Sequence, residues 1–445
     1  MPEAPSIPRA VGPAPRPVPA FPAPAPAPAP TTRAPGWDLL LVCVAVYVAT
    51  AVGRIHQLFP ALLPLKPAFV AAALAIALYL LQQSGPRSLH RLRSPTTTWL
   101  LALLLWTTLS VPGALSQGIA FQVLTGFVKT IAMYVVLAGS VRSRRDIERL
   151  ILVYFVVTAV YAAVVLSRFH LGADNWRLGR LYDYDANDFA TLIATAMPLG
   201  LYFVLGQRRP LLWMLALAGL AVLAVGEISS GSRGGFLALF AVAAFVLVCF
   251  STLHARSRLI GLVVIVVVVF AAASDRYWTQ MHTILTPHRD YNVTAEEGRL
   301  AIWGRGLDYM TSHPVLGLGA GNFQMAEGTI SPLARRQEYG QGVLWGAAHN
   351  SFIEIGAELG LPGLVLFVGV IASAFASLRR VARYGRKMGT SALGVARLAQ
   401  TLMAALVGFV VGGFFLSLAF SDMLYTLAAL AVALEKVTLP RRAPI

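Results

Sequence analysis

The chain is short of charge and almost without cysteine. Only 13% of its 445 residues are Asp, Glu, Lys or Arg, against 57% hydrophobic ones. A soluble fold of this length could not hide that much apolar surface, so a water-soluble globular protein is excluded. Acidic residues are the scarcer sign, 20 against 36 Lys and Arg, which leaves a net charge of +16. Cysteine is limited to Cys43 and Cys249, both in apolar runs, so no disulfide framework is implied. The N-terminus lacks the basic-then-apolar layout of a signal peptide, and the first apolar span is expected to stay as an anchor.

What is present is apolar length, with a mean hydropathy of +0.68. In a bilayer the backbone must be helical or form a closed barrel, and runs of roughly 20 apolar residues predict helices. Candidate spans fall at 37–53, 66–82, 97–113, 119–139, 148–168, 187–206, 210–227, 234–251, 259–275, 351–376, 395–417 and 419–436. The last two are separated only by the turn signal Ser421–Asp422. The fold class is therefore an all-α polytopic membrane protein with about 12 transmembrane helices and a helical outer domain between the ninth and tenth. Residues 1–36 form a Pro/Ala tail, with alternating proline from Pro22 to Pro30, which is extended and builds no core.

Basic residues set the orientation. With the N-terminus inside, the inner loops collect Arg87, Arg91 and Arg93, then Arg142, Arg144, Arg145 and Arg149, then Arg208 and Arg209, then Arg256 and Arg258, then Arg379 to Lys387. This alternation is what the positive-inside rule demands, and it makes both termini cytoplasmic. It also explains the basic balance without nucleic acid. The exceptions lie outside: Arg168, Arg177 and Arg180; Arg233; and Arg276, Arg289, Arg299, Arg305, Arg335 and Arg336. An outer surface that collects arginine against the bias suggests an anionic ligand.

Three outer stretches could carry chemistry. Residues 168–188 contain Asp183-x-Asp185, which mimics the metal motif of soluble nucleotide-sugar transferases. The EF-hand alternative fails, because Asp188 and Ala194 stand where Gly and Glu are needed. Asn187 and Asp188 are expected to cap the next helix, while Arg177 and Arg180 either grip a phosphate or are plain surface charges. In SSGSRGG, Gly231, Gly234 and Gly235 would let a ligand approach the backbone beside Ser232, and Arg233 would contact a diphosphate; the alternative is an arginine that snorkels to headgroups. In the long outer segment, Leu300, Trp303, Leu307 and Met310 form a helical stripe suited to a membrane surface. The glycine-rich Gly317–Asn322 that follows is no dinucleotide fingerprint. His282, His288 and His313 lack metal-ligand spacing, and the sequon at Asn292 matters only in a secretory eukaryote.

The segment closes with WGAAHNSFIEIGAELGLPG. Ser351 and Glu354 have the spacing of a capping box, which predicts a helix start at Ser351. His349 and Asn350 then sit just before a helix N-terminus, whose positive end favours a neutral imidazole. That imidazole either acts as a general base or only satisfies loop backbone.

Together YDANDFA (Tyr184–Ala190), SRGG, RLAIWGRGL…HPVLGLGAGNF and AHNSFIEIGAELGLPG resemble the bacterial O-antigen ligase and polymerase superfamily, most strongly over about 180–365. The resemblance implies a metal-independent inverting glycosyltransferase of the GT-C type, with no cofactor, in the inner membrane. Its donor is a glycan on undecaprenyl diphosphate, and its acceptor is a hydroxyl on the periplasmic face, lipid A-core in the ligases. It assigns His349 the essential role and Arg233 the diphosphate, with Arg177 or Arg180 as the arginine of the preceding outer loop. Arg299 is expected as a further diphosphate contact, with Asn350, Ser232 and Gly234 in support. The expected organisation is a cytoplasmic tail over 1–36, helices 1–9 over 37–275, a periplasmic domain over 276–350, helices 10–12 over 351–436 and a cytoplasmic tail over 437–445.

Alternatives stay open. A polymerase or a protein O-oligosaccharyltransferase would run the same chemistry on another acceptor. A small-anion transporter would instead keep polar groups at the midplane, where Lys129 and Glu227 are the main candidates.

Overall fold

The helices begin and end where local chemistry tells them to. Asp38 caps α1 (Leu39–Tyr47), which continues as a π-helical turn over Val48–Val52. Ser94 caps α3 (Pro95–Ser110), with proline in the first turn, where its missing N–H costs nothing. Ser421 caps α16 (Asp422–Thr438). Between these lie α2 (Pro67–Leu81), α4 (Gln117–Ser140), α5 (Arg144–Arg168), α6 (Ala186–Gly206), α7 (Pro210–Ser230), α8 (Arg233–Cys249) and α9 (Ala255–Ala272). The outer segment carries α10 (Asp275–His282), α11 (Tyr291–Thr294), α12 (Arg299–Ser312) and α13 (Phe323–Thr329), followed by α14 (Ser351–Lys387) and α15 (Leu393–Gly413). This computed structural model describes residues 36–440 except 169–176, 179–183, 208, 287, 289, 297, 335–345 and 390–391. The Pro/Ala tail and the extreme C-terminus lie outside the described residues.

Every regular element among the described residues is helical, and a helix lies over each apolar run in the sequence. Among the described residues six helices (α4, α5, α6, α7, α14 and α15) are long and apolar enough to cross a membrane, and Leu39–Val52, α2 and α8 are shorter apolar helices. At the centre α15 packs on α6, α8 and α14. Small residues permit the close approach: a Cβ added at Gly408 would lie 2.8 Å from the Ala194 carbonyl oxygen. Buried Asp146 accepts from Arg142 and Arg149, and Asp38 pairs with Arg87 and Arg142. Lys436 caps the end of α4 by donating to the carbonyls of Ala138 and Gly139 at 2.6 and 3.0 Å.

The outer segment has a small core of its own, Ile302, Tyr309, Leu318, Phe323, Ala326, Ala348 and Ala357, seated on the first turns of α14. Helix α12 buries Ile302, Gly306, Tyr309 and Met310, while Leu300 and Leu307 of the apolar stripe remain 50% exposed. The reason is polar. Buried Glu327 of α13 accepts from Arg305 (Nε to Oε1 2.9 Å) and from the Tyr309 hydroxyl (2.8 Å), so both side chains must turn inward. Arg305 is thereby an internal partner of Glu327, not an outward-facing cation.

Helix α14 starts at Ser351 as expected but is broken at Gly360, whose φ of +68° and ψ of −175° leave the helical region. The glycine-rich turn fills this break. Leu318 N–H donates to Ala357 O (2.9 Å), Gly319 N–H to Glu358 O (2.8 Å), and Leu361 N–H to Pro314 O (2.9 Å). The Glu358 carboxylate accepts from the N–H groups of Gly321 and Phe323 at 2.7 and 3.1 Å. GLGAGN is thus a clip that holds the outer segment against α14.

Candidate active site

His349 stands in the left-handed region, with φ of +46°. For a residue with a Cβ this costs about 1–3 kcal/mol and persists only where the surroundings enforce it. Its backbone N–H donates to Ser417 Oγ at 3.0 Å. The following residue ends the turn: Asn350 is the N-cap of α14, its side chain accepting from Phe352 and Ile353 N–H. The expected capping box at Ser351 and Glu354 is not formed. Asn350 takes the cap, and Ser351 and Glu354 bond to residues 416–419 instead. Among the described residues no group forms a hydrogen bond with the half-buried imidazole. Burial, then the charge of Arg299, push the imidazole below its ordinary range against a smaller pull from Asp185. It is therefore neutral near pH 7 and able to accept a proton.

Arg233 opens α8. Gly231, at φ +57°, ends α7 with the left-handed cap a glycine supplies, and Ser232 caps α8 through Gly235 N–H. The neighbouring glycines serve packing: a Cβ at Gly234 would meet Phe415 at 3.0 Å, and one at Gly235 would meet Ala190 Cβ and Glu227 Oε1 at 2.4 Å each. The Arg233 guanidinium donates to Thr283 Oγ1 at 2.7 Å and forms an ion pair with Asp290. Burial raises the Asp290 carboxyl, but the hydrogen bond from Arg233, helped by two from Asn292, holds it below the usual carboxylate range. Arg299, in the first turn of α12, lies within electrostatic reach of Arg233, Asp185, Asp290 and Arg177, and is lowered chiefly by burial and then by Arg233. Arg177 is lowered by burial, with Asp185 opposing and Arg233 assisting. Guanidinium groups stay charged through such shifts.

So the fold brings together Arg177, Arg233, Arg299 and His349, which come from three separate stretches of sequence, with Asp185 and Asp290 as the carboxylates among them. Arg180, Asp183, Arg289, Arg335 and Arg336 lie outside the described residues. Asn350, Ser232 and Gly234 act on the backbone around the site, as caps and a packing contact. Asp185 is the N-cap of α6 and forms a reciprocal capping box with Asp188, so the cap lies two residues before Asn187. Asp290 carried no sequence signal beyond its charge. Arg54 did carry one: it is an outer arginine at the end of an apolar run, and its guanidinium sits 5.3 Å from the centre of the Tyr184 ring. Among the described residues no group of three His, Cys, Asp or Glu side chains is placed to hold a metal ion.

Chemically, this is a cationic, partly dehydrated surface beside one neutral imidazole. It suits a ligand with two or more negative charges and a reaction in which a hydroxyl loses its proton. Residues 218–368, which include Arg233, Arg299 and His349 but not Arg177, match a family described as O-antigen ligase. No curated protein matches the chain.

Proposed function

We propose that this member of the O-antigen ligase family is a membrane glycosyltransferase that moves a glycan from undecaprenyl diphosphate to a hydroxyl acceptor, with lipid A-core as that acceptor. One juxtaposition supports this: the imidazole of His349 lies within the electrostatic field of Arg299, itself clustered with Arg233 and Arg177. In this proposal all twelve apolar helices cross the inner membrane, and the segment between α9 and α14 is periplasmic. Both termini are cytoplasmic.

The acceptor oxygen attacks the anomeric carbon, and the bond from that carbon to the diphosphate oxygen breaks. His349 takes the hydroxyl proton, a contribution of about 10²–10⁴ in rate. The departing diphosphate keeps the bonding pair, and Arg233, Arg299 and Arg177 stabilise its growing charge without a metal. Attack from the face opposite the leaving group inverts the anomeric centre. For Arg233 to engage the donor it must exchange Asp290 for a phosphate oxygen.

A transporter fits less well. Glu227 belongs to the last turn of α7, at the outer end of that helix and not at its middle, and Lys129 is exposed. The break at Gly360 is filled by Pro314, Val315 and the glycine-rich turn instead of lining a passage.

The test is a transfer assay with the purified full chain in nanodiscs, supplied with lipid-linked glycan and acceptor. Wild type should transfer and His349→Ala should not. Full activity in H349A overturns the role of His349. In cells, loss of the gene should remove long-chain lipopolysaccharide and leave polymer on the carrier. Single-repeat glycan would identify a polymerase, an unglycosylated secreted protein would identify a protein-directed enzyme, and unchanged glycans with altered solute uptake would identify a transporter.

A further inference from the structure

The geometry points to Ser417 as a positioning residue for His349, and to Phe414–Ala419 as the segment that fixes the imidazole relative to the arginines. This rests on the function proposed above, and it concerns a stretch outside the matched residues 218–368.

The contacts run along the segment in sequence. Ser417 Oγ accepts the His349 N–H at 3.0 Å. Ser351 Oγ donates to Leu416 O at 2.7 Å and accepts from Leu418 N–H at 2.9 Å. Glu354 Oε2 accepts from Ala419 N–H at 3.3 Å. These bonds fasten the first turn of α14 to residues 416–419, and the outermost of them falls on the residue in the left-handed conformation. A histidine has no intrinsic reason to hold φ near +46°. An acceptor placed against its N–H selects that conformation, and with it the direction in which the Cβ, and so the imidazole, leaves the backbone.

The same segment touches the arginine-bearing helices. Phe415 packs on Gly234, next to Arg233, where a Cβ would meet it at 3.0 Å. Trp303 of α12, one turn beyond Arg299, stacks edgewise on Phe414 with ring centres 5.5 Å apart, and its indole N–H donates to Ala348 O at 3.0 Å. The segment is braced from behind by the Tyr425 hydroxyl, which donates to Ala419 O at 2.7 Å, and by Phe127 against Phe420. One short connection therefore touches α8, α12 and α14 together. Ser417 is the residue in it whose side chain reaches the candidate base.

The experiment compares wild type, His349→Ala, Ser417→Ala, Ser417→Cys and Ser417→Thr in the nanodisc transfer assay, with rates expressed per folded molecule. Misplacing a reacting group by about 1 Å costs on the order of 10²-fold, so kcat of S417A should fall by about that factor while its donor KM stays within about twofold. S417T keeps the hydroxyl and should restore most of the rate. S417C, with its weak sulfur acceptor, should fall between S417T and S417A. If H349A is inactive while folded S417A or S417C keeps the full kcat, the proposal is overturned and the function stands. Loss that follows only the folded fraction, with kcat per folded molecule unchanged, overturns it as well. A wild-type protein that transfers no glycan overturns the function beneath it.

Discussion

Removing the carboxylate from Asp290 should make the protein bind its donor more tightly. Arg233 is held by Asp290 and by Thr283. Both partners of the ion pair are mostly buried, with side-chain exposures of 20% and 14%, so solvent screens the attraction less than at a surface. Burial raises the Asp290 carboxyl, but the bonds from Arg233 and Asn292 outweigh it and leave the pKa low. The group is thus ionised at any working pH and competes with a phosphate for the same N–H groups. Asp290→Asn changes little else. The amide oxygen can still accept from the backbone and side chain of Asn292, which now bond to Oδ1 at 3.1 Å each, but its NH₂ cannot pair with a guanidinium. A hydrogen bond to a charged group is worth about 1.5–3 kcal/mol net, and because Thr283 remains, relief near the lower end is expected, or about a tenfold fall in donor KM. The chemical step begins after Asp290 has been displaced, so kcat should hardly move. Initial rates against donor concentration in nanodiscs measure both. A donor KM above wild type, or kcat falling with KM unchanged, refutes the reasoning and makes Asp290 a group that aims Arg233 instead of one that blocks it.

The pH profile and one glycine test other parts of the structure. His349 is lowered first by burial and then by Arg299, so the acid limb of kcat/KM, which reports the free enzyme, should lie below the ordinary histidine value of about 6.5. Arg299→Gln removes one of the lowering influences and should move that limb to higher pH; a limb that stays or moves down contradicts the assignment. The same shift has a stability consequence. The unfolded chain binds this proton more readily than the fold does, so the contribution is complete above the unfolded value and is lost as pH falls through the folded one, which acid unfolding in detergent would register. Gly360→Ala should destabilise by at least about 2 kcal/mol, because the left-handed φ is disfavoured for alanine and its Cβ would lie 2.3 Å from Val315 O and 2.6 Å from Pro314 O. A melting temperature equal to wild type would mean that the break in α14 is not fixed by these contacts.

Much of the helical framework was legible because a membrane punishes exceptions. Each apolar run had to satisfy its own backbone, so length and hydropathy alone located α1 to α9 and α14 to α16 within a few residues, except for the C-terminal end of α14, which runs past the expected residue 376 to Lys387. The candidate arginines were legible for the opposite reason: Arg177, Arg233 and Arg299 break the charge bias of the loops, and such a breach asks for an anion. Local pattern failed where two segments compete for the same group. Ser351 and Glu354 have a capping-box spacing, but α15's outer connection offers them better partners, so Asn350 caps the helix. On α12 the inward face is likewise set at a distance, by buried Glu327, 22 residues from Arg305. Asp290 and Ser417 lie 57 and 68 residues from the groups they hold and obey every local rule, one as an acid in a polar loop and the other as a serine beside a turn. Residues that bind a charged substrate must depart from what the membrane tolerates, and so they show in a single sequence. Those that aim them need only meet a backbone N–H or a guanidinium across the fold, and no spacing along the chain records that meeting.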